Sequence, residues 1–257
     1  MKTDKYTHVN ICKKSLTDNN IYENFKTFPE FTYILEHTTE RYGHIYIQLM
    51  IEKYKDYMVL LDWKKLKEND IIGNPSMVNF IELKDYVGLE NCYYSPSTIY
   101  YIYRGIDIIH NLLRNSKNFN ILEIGGGYGG QCKLLIDMCV MFNVKIEKYG
   151  IIDLEYATKL QEKYLSTFGY KNIEYFGYES TKEFNYFELY NAVISIYALS
   201  EFDVDVQNYY VNNIIDNNKN YYILCNLEIT NNLFNYNSII DALPITGTYH
   251  KLLFKNE

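Results

Sequence analysis

Hydrophobic residues follow two different periods along the chain, and the change falls near residue 118. Before it, apolar residues recur at three- and four-residue steps, as in 42–55 and 99–113. Such spacing puts apolar side chains on one face of a helix. Residues 1–117 are therefore predicted to be mainly helical, with a turn at 70–75 and a helix that begins near Ser95 and Pro96.

After residue 118, short apolar runs alternate with amphipathic stretches. The expected strands are 121–124, 148–152, 173–176, 192–197, 221–225 and 249–254, and the expected helices are 128–141, 155–168 and 204–215. Alternation of this kind predicts an α/β fold over 118–257, with a mostly parallel, Rossmann-like sheet and helices on both faces. Ligands of such sheets bind beyond the carboxyl ends of the strands, so functional residues are expected just after each strand.

Composition and charge narrow the classes of function. The chain has 257 residues, a net charge of −7 and 47% hydrophobic residues, which is typical of a soluble globular protein. It lacks the clustered Lys and Arg of a duplex-binding surface, so no nucleic-acid partner is expected. No apolar run approaches the roughly 20 residues that cross a bilayer, and the first residues lack a signal-peptide core. No membrane span and a cytoplasmic location are expected.

Cysteine and histidine give no sign of a metal centre. The five cysteines include no C-x-x-C pair, and the five histidines are scattered without metal-ligand spacing. Cys132 and Cys139 lie seven positions apart on an expected helix, and so on one face of it. They are predicted to be buried free thiols.

A glycine-rich segment at 125–130 carries the strongest functional signal. It holds five glycines and Tyr128, directly after an apolar strand. Glycine allows a tight turn and lets a ligand approach the backbone, while the helix that follows offers free N–H groups. A plain flexible connection is the alternative, but the position between strand and helix favours a cofactor loop.

Two cofactors compete for this loop. Gly125, Gly127 and Gly130 satisfy the G-x-G-x-x-G pattern of dinucleotide enzymes. Glu123 favours the other ligand, because its charge opposes a pyrophosphate but suits the α-amino group and sulfonium of S-adenosylmethionine. The spacing of Glu123, Gly125, Gly127 and Gly129 resembles the first motif of class I methyltransferases. An NAD-binding oxidoreductase remains the alternative.

The ends of the next strands supply further candidates. Asp153 closes the second strand, where it would accept hydrogen bonds from a cofactor ribose, and it is followed by Leu154. A helix N-cap is the alternative for Asp153. Tyr178 follows the third strand, where the adenine would lie, although a surface turn explains it equally well. Tyr197 ends the fourth strand and Glu201 lies four positions later, next to the transferable methyl group, and Glu201 could instead cap a helix.

Several segments together resemble the bacterial-type sugar O-methyltransferase family. They are 121–130, 152–154 with 163–165, and 193–201 followed by Gln207. Residues 70–75 and 95–99 are similar to segments that precede the glycine motif in that family. The resemblance therefore runs from about residue 60 to the end of the chain.

The resemblance implies methyl transfer from S-adenosylmethionine to the hydroxyl of a sugar, in a nucleotide sugar or a glycan, during polysaccharide or glycan biosynthesis. Carried over by position, the residues that would serve the cofactor are Glu123, Gly125, Gly127, Tyr128, Gly129 and Asp153. Further cofactor candidates, from their places at the strand ends, are Leu154, Tyr178 and Tyr197. The resemblance places at the substrate side Ser95, Thr98, Tyr197, Ser200 and Glu201. Tyr94 and Asn226 are further substrate candidates from their own positions in the sequence. Because only about thirty residues follow Asn226, the usual closing strands must be short or one must be absent.

A sugar hydroxyl is a weak acid, so the proposed chemistry needs a base. A positioned base commonly adds on the order of a hundredfold or more to the rate. Glu201 is the first choice and His250 the second, although His250 could be an ordinary surface residue. Asn226 and Glu228 could orient substrate hydroxyls or hold a divalent metal, since some sugar methyltransferases use one.

Other interpretations remain open. The acceptor could be a small molecule other than a sugar, or the chain could be a non-catalytic scaffold with a methyltransferase fold. The helical part is expected to cover the cofactor cleft, to supply acceptor specificity or to form a homodimer surface. The 29 tyrosines fit codon bias in an AT-rich genome, apart from those at or beside the expected site, which could stack on a sugar: Tyr93, Tyr94, Tyr128, Tyr178 and Tyr197.

Overall fold

The computed structural model describes residues 2–113, 118–178, 186–218, 220–226, 238–241 and 251–255. The chain forms two compact units, each assembled from separate stretches. The first unit contains Met1–Asp107, Gly127–Asn143 and Lys159–Gly169, and the second contains Ile108–Gly126, Val144–Thr158 and Tyr170–Glu257. The units thus cross position 117/118, where the hydrophobic pattern changes, and the domain boundary expected there stays a prediction.

The early part of the chain is mainly helical, as its periodicity indicates. Its helices are α1 (Lys2–Thr17), α2 (Asn19–Asn24), α3 (Pro29–Thr32), α4 (Glu40–Met58), α5 (Trp63–Lys67), α6 (Glu82–Val87) and α7 (Pro96–Ile108). Turns of 3-10 helix at Phe25–Thr27 and Glu68–Asp70 and a π-helical segment at Ile109–Leu113 accompany them. Strands β1 (Val78–Asn79) and β2 (Tyr93–Tyr94) pair antiparallel. Among the described residues, no helix is long and apolar enough to span a bilayer.

Ser95 starts α7 in the way that the sequence predicts. The backbone N–H of Thr98 donates to Ser95 Oγ over 3.0 Å, and Pro96 is the first residue of the helix. A hydroxyl at the N-cap satisfies one of the free N–H groups of a first turn, and proline is well tolerated at the first helical position. The Ser-Pro pair therefore has a structural task in this fold.

The second half of the chain alternates strands with helices. Its strands are β3 (Asn118–Ile124), β4 (Lys145–Asp153), β5 (Ile173–Gly177), β6 (Ala192–Ile196), β7 (Tyr221–Cys225), β8 (Ser238–Asp241) and β9 (Lys251–Lys255). Its helices are α8 (Gly130–Met141), α9 (Glu155–Thr167), α10 (Ala198–Glu201) and α11 (Val204–Tyr210), which continues as a π-helical segment over Val211–Ile215; a 3-10 turn lies at Tyr186–Leu189.

All seven of these strands form one sheet, in the order β5-β4-β3-β6-β7-β9-β8. The first five strands of that order are parallel, and β9 runs antiparallel to both of its neighbours. If the seven strands are renumbered 1 to 7 in chain order, starting from β3, the sheet order is 3-2-1-4-5-7-6. Its first five positions match the strand order of a doubly wound Rossmann sheet. The mostly parallel α/β fold expected from the sequence is confirmed. The order reverses between β3 and β6, and ligands of such sheets bind beyond that point.

The apolar core of the second unit joins the sheet to α11 and the π-helical segment that continues it. Leu122, Val193 and Ile223 from three neighbouring strands belong to one buried cluster with Tyr210 and Ile214. Burial of apolar surface contributes roughly 25 cal/mol per Å². This packing holds the central strands in register and so fixes the positions of their carboxyl ends.

The closing strands are short, which is one of the two alternatives expected for the end of the chain. They contain four residues in β8 and five in β9. Residues 249 and 250 of the expected last strand lie outside the described residues, as does His250. The five cysteines are all buried free thiols, as expected for Cys132 and Cys139. Burial raises the pKa of the Cys139 thiol to about 12, which makes it unreactive.

Candidate active site

The turn after the central strand β3 closely approaches the turn after β6. Gly125 has φ +79°, and its N–H continues the parallel ladder by donating to Ile152 O over 2.8 Å. A Cβ on Gly125 would overlap the Cβ of Ala198. Glycine is required here on two counts, the left-handed backbone and the absence of a side chain. The two turns meet where the strand order reverses.

Glu123 is buried at the carboxyl end of β3. Its side chain is 2% exposed, and the Tyr149 hydroxyl donates to its Oε2 over 2.9 Å. Burial raises the pKa of Glu123 to about 8; the Tyr149 hydrogen bond lowers it and the charge of Asp153 raises it further. The carboxyl is therefore mostly protonated at neutral pH. A cationic ligand nearby would favour its ionised form.

Asp153 ends β4 beside the central strand. Its side chain is half-buried, and Oδ1 accepts a hydrogen bond from Leu154 N over 2.7 Å. Tyr178 follows β5, packs against the apolar core cluster and has its ring centroid 6.2 Å from that of Tyr210. These positions lie at the strand ends that the sequence predicts, and the roles of these residues in cofactor binding stay predictions.

Tyr197 has a strained backbone directly after β6. Its φ of +67° and ψ of −35° lie in a region that few residues other than glycine adopt. Its N–H donates to Leu224 O over 2.7 Å, and its carbonyl accepts from Ser200 N over 3.0 Å. Strain of this kind persists only where the surroundings impose it, and it is concentrated at functional sites. No local sequence pattern predicts the positive φ of Tyr197.

Glu201 and Asn226 meet across the ends of neighbouring strands. Asn226 Nδ2 donates to Glu201 Oε1 over 2.6 Å, and the Glu201 side chain is exposed. The two residues are 25 positions apart in sequence, but β6 and β7 are adjacent and parallel. The expectation that they follow the fourth and fifth strands is confirmed by these strand bounds.

The buried Ser200 connects the turns that follow β6 and β7 through hydrogen bonds. It is 3% exposed, and its Oγ lies 2.7 Å from Tyr197 O and 2.8 Å from Asn226 Oδ1, to either of which it can donate. Asn226 N donates to that Oγ over 3.2 Å. Ser200 and Asn226 thus use their polar atoms within the chain, and their contact with a substrate stays a prediction.

Ser195 performs a task that the sequence interpretation missed. It is fully buried in β6, and its Oγ donates to Ile124 O over 3.0 Å while accepting from Leu199 N over 3.2 Å. It therefore links the end of β3 to the start of α10. A lone serine within an apolar strand is the only signal that could have pointed to it.

The carboxyl edge of the parallel strands is acidic. Among the described residues that end these five strands or lie within five positions after them there is no Lys or Arg, whereas Asp153, Glu155 and Glu201 are present. A dinucleotide would bring its pyrophosphate to this edge without a described cation to meet it. S-adenosylmethionine carries an ammonium and a sulfonium and no phosphate, so the donor set fits it better.

The remainder of the glycine loop belongs to the first unit. Gly127 and Gly129 have φ of +58° and +97°, and Tyr128 between them is fully buried. Gln161 Nε2 donates to Gly127 O over 2.9 Å, and Asn69 Nδ2 donates to the Tyr128 hydroxyl over 3.0 Å. The loop is thus fixed by side chains from distant parts of the sequence.

Asn69 is the centre of this buried network, and sequence reasoning missed it. Its Nδ2 also donates to Thr98 Oγ1 over 2.7 Å, and its Oδ1 accepts from the Tyr164 hydroxyl over 2.8 Å. Lys26 Nζ donates to its carbonyl over 2.6 Å and lies 4.4 Å from the centroid of the Tyr128 ring. Burial lowers the pKa of Lys26. Because the partners are dozens of positions apart, no local pattern reveals the network.

The substrate residues expected in the first unit have structural partners. The hydroxyls of Ser95 and Thr98 donate to Asp70 Oδ1 over 2.7 and 2.6 Å. The Tyr94 side chain is 1% exposed, and its hydroxyl donates to Trp63 O over 2.9 Å. Their contact with an acceptor stays a prediction. Asp70 explains why the 70–75 and 95–99 segments occur together.

Two candidates lie in parts of the chain that the structure does not describe. His250, the second choice for the base, and Glu228, offered as a metal ligand with Asn226, lie outside the described residues. Within the part of the chain that the structure describes, no three His, Cys, Asp or Glu side chains come together as a metal site.

Comparison with known proteins gives similarity of structure and not of sequence. No protein-family model and no curated protein sequence matches the chain. Solved structures match parts of it. The methyltransferase domain of a bacterial protein, CtHen1, is 14% identical over 48% of this chain and 63% of its own, with a TM-score of 0.38. The PH0226 protein from Pyrococcus horikoshii is 15% identical over 60% of this chain and 90% of its own, with a TM-score of 0.44.

A third similar structure contains a bound ligand. M. capricolum TrmK, in complex with its cofactor product S-adenosylhomocysteine, is 15% identical over 60% of this chain and 70% of its own, with a TM-score of 0.39. The chain spans less than two thirds of the CtHen1 structure, and these TM-scores lie below 0.5. The similarities therefore carry no argument about activity. The strand order itself shows the fold, which is a mostly parallel, Rossmann-like α/β sheet.

Proposed function

We propose that this protein is an S-adenosylmethionine-dependent O-methyltransferase whose acceptor is a sugar hydroxyl, in a nucleotide sugar or a glycan. The observation that carries the proposal is the acidic edge at the switch point of the sheet. There Glu123 lies one residue before the end of β3 and Asp153 ends the neighbouring β4, beside the glycine turn at Gly125. No Lys or Arg is among the described residues within five positions after the parallel strands.

The strand-end residues would bind the cofactor. Asp153 would accept hydrogen bonds from its ribose hydroxyls, and Tyr178 would border its adenine. Glu123, near the glycine turn, would favour a ligand with a positive charge over one with phosphates. When bound, S-adenosylmethionine would supply an electrophilic methyl group on its sulfonium.

Glu201 would accept the proton of the acceptor hydroxyl. It is exposed, so an acceptor can reach it, and Asn226 holds one of its oxygens. The other carboxylate oxygen, Oε2, would then face the hydroxyl. Hydrogen bonds to one oxygen of a carboxylate fix its orientation without preventing the other from taking a proton. The position of Glu201 after β6, beside the reversal of strand order, supports this role.

The sugar acceptor rests on the sequence resemblance. One of the segments that carry it is 193–201, which ends in the turn that follows β6; residues 197–202 are called the Glu201 turn below. Another is Gln207, whose side chain donates to Phe202 O in that turn. The segments also include Ser95 and Thr98, which we propose act by holding Asp70. A screen of methyl transfer over sugars, nucleotide sugars and small hydroxylated molecules, with detection of S-adenosylhomocysteine, would identify the acceptor class.

The variant Glu201→Gln tests the base directly. It keeps the size of the side chain and removes the proton acceptor, so cofactor affinity should be preserved while kcat falls on the order of a hundredfold. Full turnover in Glu201→Gln would show that another group, or none, takes the proton. Saturable cofactor binding with no transfer to any acceptor would favour a non-catalytic scaffold.

A further inference from the structure

Gln207 contacts the backbone on both sides of Glu201. It lies on α11 and is 5% exposed. Its Nε2 donates to Phe202 O over 2.9 Å and to Ser200 O over 3.4 Å. One carboxamide nitrogen, with its two hydrogens, thus bridges the carbonyls that precede and follow Glu201.

These contacts complete the support of the Glu201 turn. The turn starts at the strained Tyr197 and makes only a short helix, α10, before α11 begins. Asn226 holds the Glu201 carboxylate at one end. Gln207 holds the backbone that carries it at the other. A side chain fixed at both ends keeps its carboxylate in one orientation, as a base requires.

A buried glutamine would be an unfavourable residue at position 207 if this position served only to fill space in the core. Gln207 Oε1 is buried and has no hydrogen-bond partner among the described residues. An unpaired buried carbonyl oxygen is destabilising, and an apolar side chain of similar shape would avoid that cost. The donating nitrogen is therefore the part of Gln207 that this position needs, and its acceptors are the two carbonyls around Glu201.

We propose that Gln207 is a positioning residue, which sets the orientation of the Glu201 carboxylate toward the acceptor through the Ser200 and Phe202 carbonyls. The inference rests on the proposed function, in which Glu201 is the base. It assigns Gln207 no contact with cofactor or acceptor. Its effect should appear in kcat, with the affinity for S-adenosylhomocysteine unchanged.

Two variants and one control test the proposal. Gln207→Met keeps the length of the side chain and removes both hydrogen bonds. Gln207→Glu can donate one hydrogen bond when protonated and none when ionised. The control is Asn218→Leu, because Asn218 is 6% exposed, belongs to the same unit and donates through Nδ2 to Ile214 O over 2.9 Å, before the amino end of β7.

We expect Gln207→Met to lower kcat about tenfold, which corresponds to loss of roughly one well-formed hydrogen bond to the turn. The ratio of kcat in Gln207→Glu to kcat in the unaltered protein should be highest at low pH. It should fall as pH rises, because the new carboxyl ionises and can no longer donate a hydrogen bond. Hydrogen exchange of a peptide covering 198–203, followed by mass spectrometry, should be faster in Gln207→Met and unchanged in Asn218→Leu.

The two readouts separate this inference from the proposed function. If the unaltered protein transfers no methyl group, the proposed function fails, while faster exchange confined to the Glu201 turn still supports the positioning contact. If it is active, an unchanged kcat in Gln207→Met overturns the inference. Whether or not the protein is active, unchanged hydrogen exchange of 198–203 in Gln207→Met overturns the inference. In an active protein, a loss of kcat in Asn218→Leu equal to that in Gln207→Met also overturns it.

Discussion

Asn226 donates a hydrogen bond of 2.6 Å to the carboxylate of Glu201, although the two residues follow different strands. Hydrogen bonds to charged groups contribute about 1.5–3 kcal/mol. Asn226→Ala should therefore lower kcat on the order of tenfold while leaving cofactor affinity unchanged, as measured by steady-state kinetics and calorimetry.

Asn213→Ala is the matched control for that substitution. Asn213 is exposed, and its Nδ2 donates to the Tyr209 carbonyl four positions earlier. It should change neither kinetic constant. If Asn226→Ala and Asn213→Ala behave alike, the pair of Asn226 and Glu201 has no part in catalysis.

The raised pKa of Glu123 makes cofactor binding depend on pH. With a pKa of about 8 in the free protein, the carboxyl holds a proton at neutral pH. A cationic ligand favours the ionised form, so affinity for S-adenosylmethionine should rise with pH up to about 8 and then level off, by at most about tenfold per pH unit. Calorimetry from pH 6 to 9 in buffers of different ionisation enthalpy would also detect the released proton.

Glu123→Gln should remove that dependence. The substitution keeps the hydrogen bond with Tyr149 in a modified form and leaves no group to ionise. Glu201→Gln, which alters an exposed carboxylate, should keep the dependence. If the affinity for S-adenosylmethionine changes equally with pH in the unaltered protein, in Glu123→Gln and in Glu201→Gln, the ionisation of Glu123 is not linked to cofactor binding.

The same groups predict how stability changes with pH. The folded protein holds the Glu123 proton up to about pH 8, and burial raises the pKa of Glu36 to about 7, whereas both groups have an ordinary value of 4.5. The unfolded chain therefore releases these protons first as pH rises. The free energy of unfolding should fall between about pH 4.5 and 8. Urea unfolding should show a shallower fall in Glu123→Gln, and an identical fall would contradict the assignment.

Gly125 should tolerate no side chain. In Gly125→Ala the Cβ would overlap Ala198, and the residue would have to keep φ +79°. Backbone strain alone costs on the order of 1–3 kcal/mol, and the overlap adds to it. The variant should lose cofactor affinity as well as stability, as followed by thermal unfolding and calorimetry.

Gly169→Ala separates strain from overlap. Gly169 has φ +83°, and a Cβ built there meets nothing within 4 Å. It should lower stability by about 1–2 kcal/mol and leave cofactor affinity intact. Equal effects of the two alanine substitutions on binding would mean that the contact between Gly125 and Ala198 is unimportant.

Much of the fold follows from local patterns. The expected strands 121–124, 173–176 and 221–225 lie within or coincide with β3, β5 and β7, because each is a short apolar run bounded by turn residues. β4 starts earlier than expected, at Lys145, since its first residues alternate charged with apolar side chains. β8 was missed because a four-residue strand at the edge of the sheet carries almost no pattern.

The candidate site was only partly accessible to sequence reasoning. Asp153 and Glu201 could be proposed because residues at and after the ends of parallel strands share one edge of the sheet. Glu123 could be proposed from its charge two positions before the first glycine of the loop. The contacts of Gln207 and Asn69 could not, since each joins segments whose proximity depends on the complete fold. The backbone strain at Tyr197 likewise arises from tertiary packing.

Calorimetric titration with S-adenosylhomocysteine and NAD, side by side, tests the central claim most directly. We expect saturable binding of S-adenosylhomocysteine, no binding of NAD, and at least a tenfold loss of affinity in Asp153→Ala, consistent with about 1.5–3 kcal/mol for hydrogen bonds to a carboxylate. Binding of NAD in place of S-adenosylhomocysteine, or of neither ligand, would contradict the account.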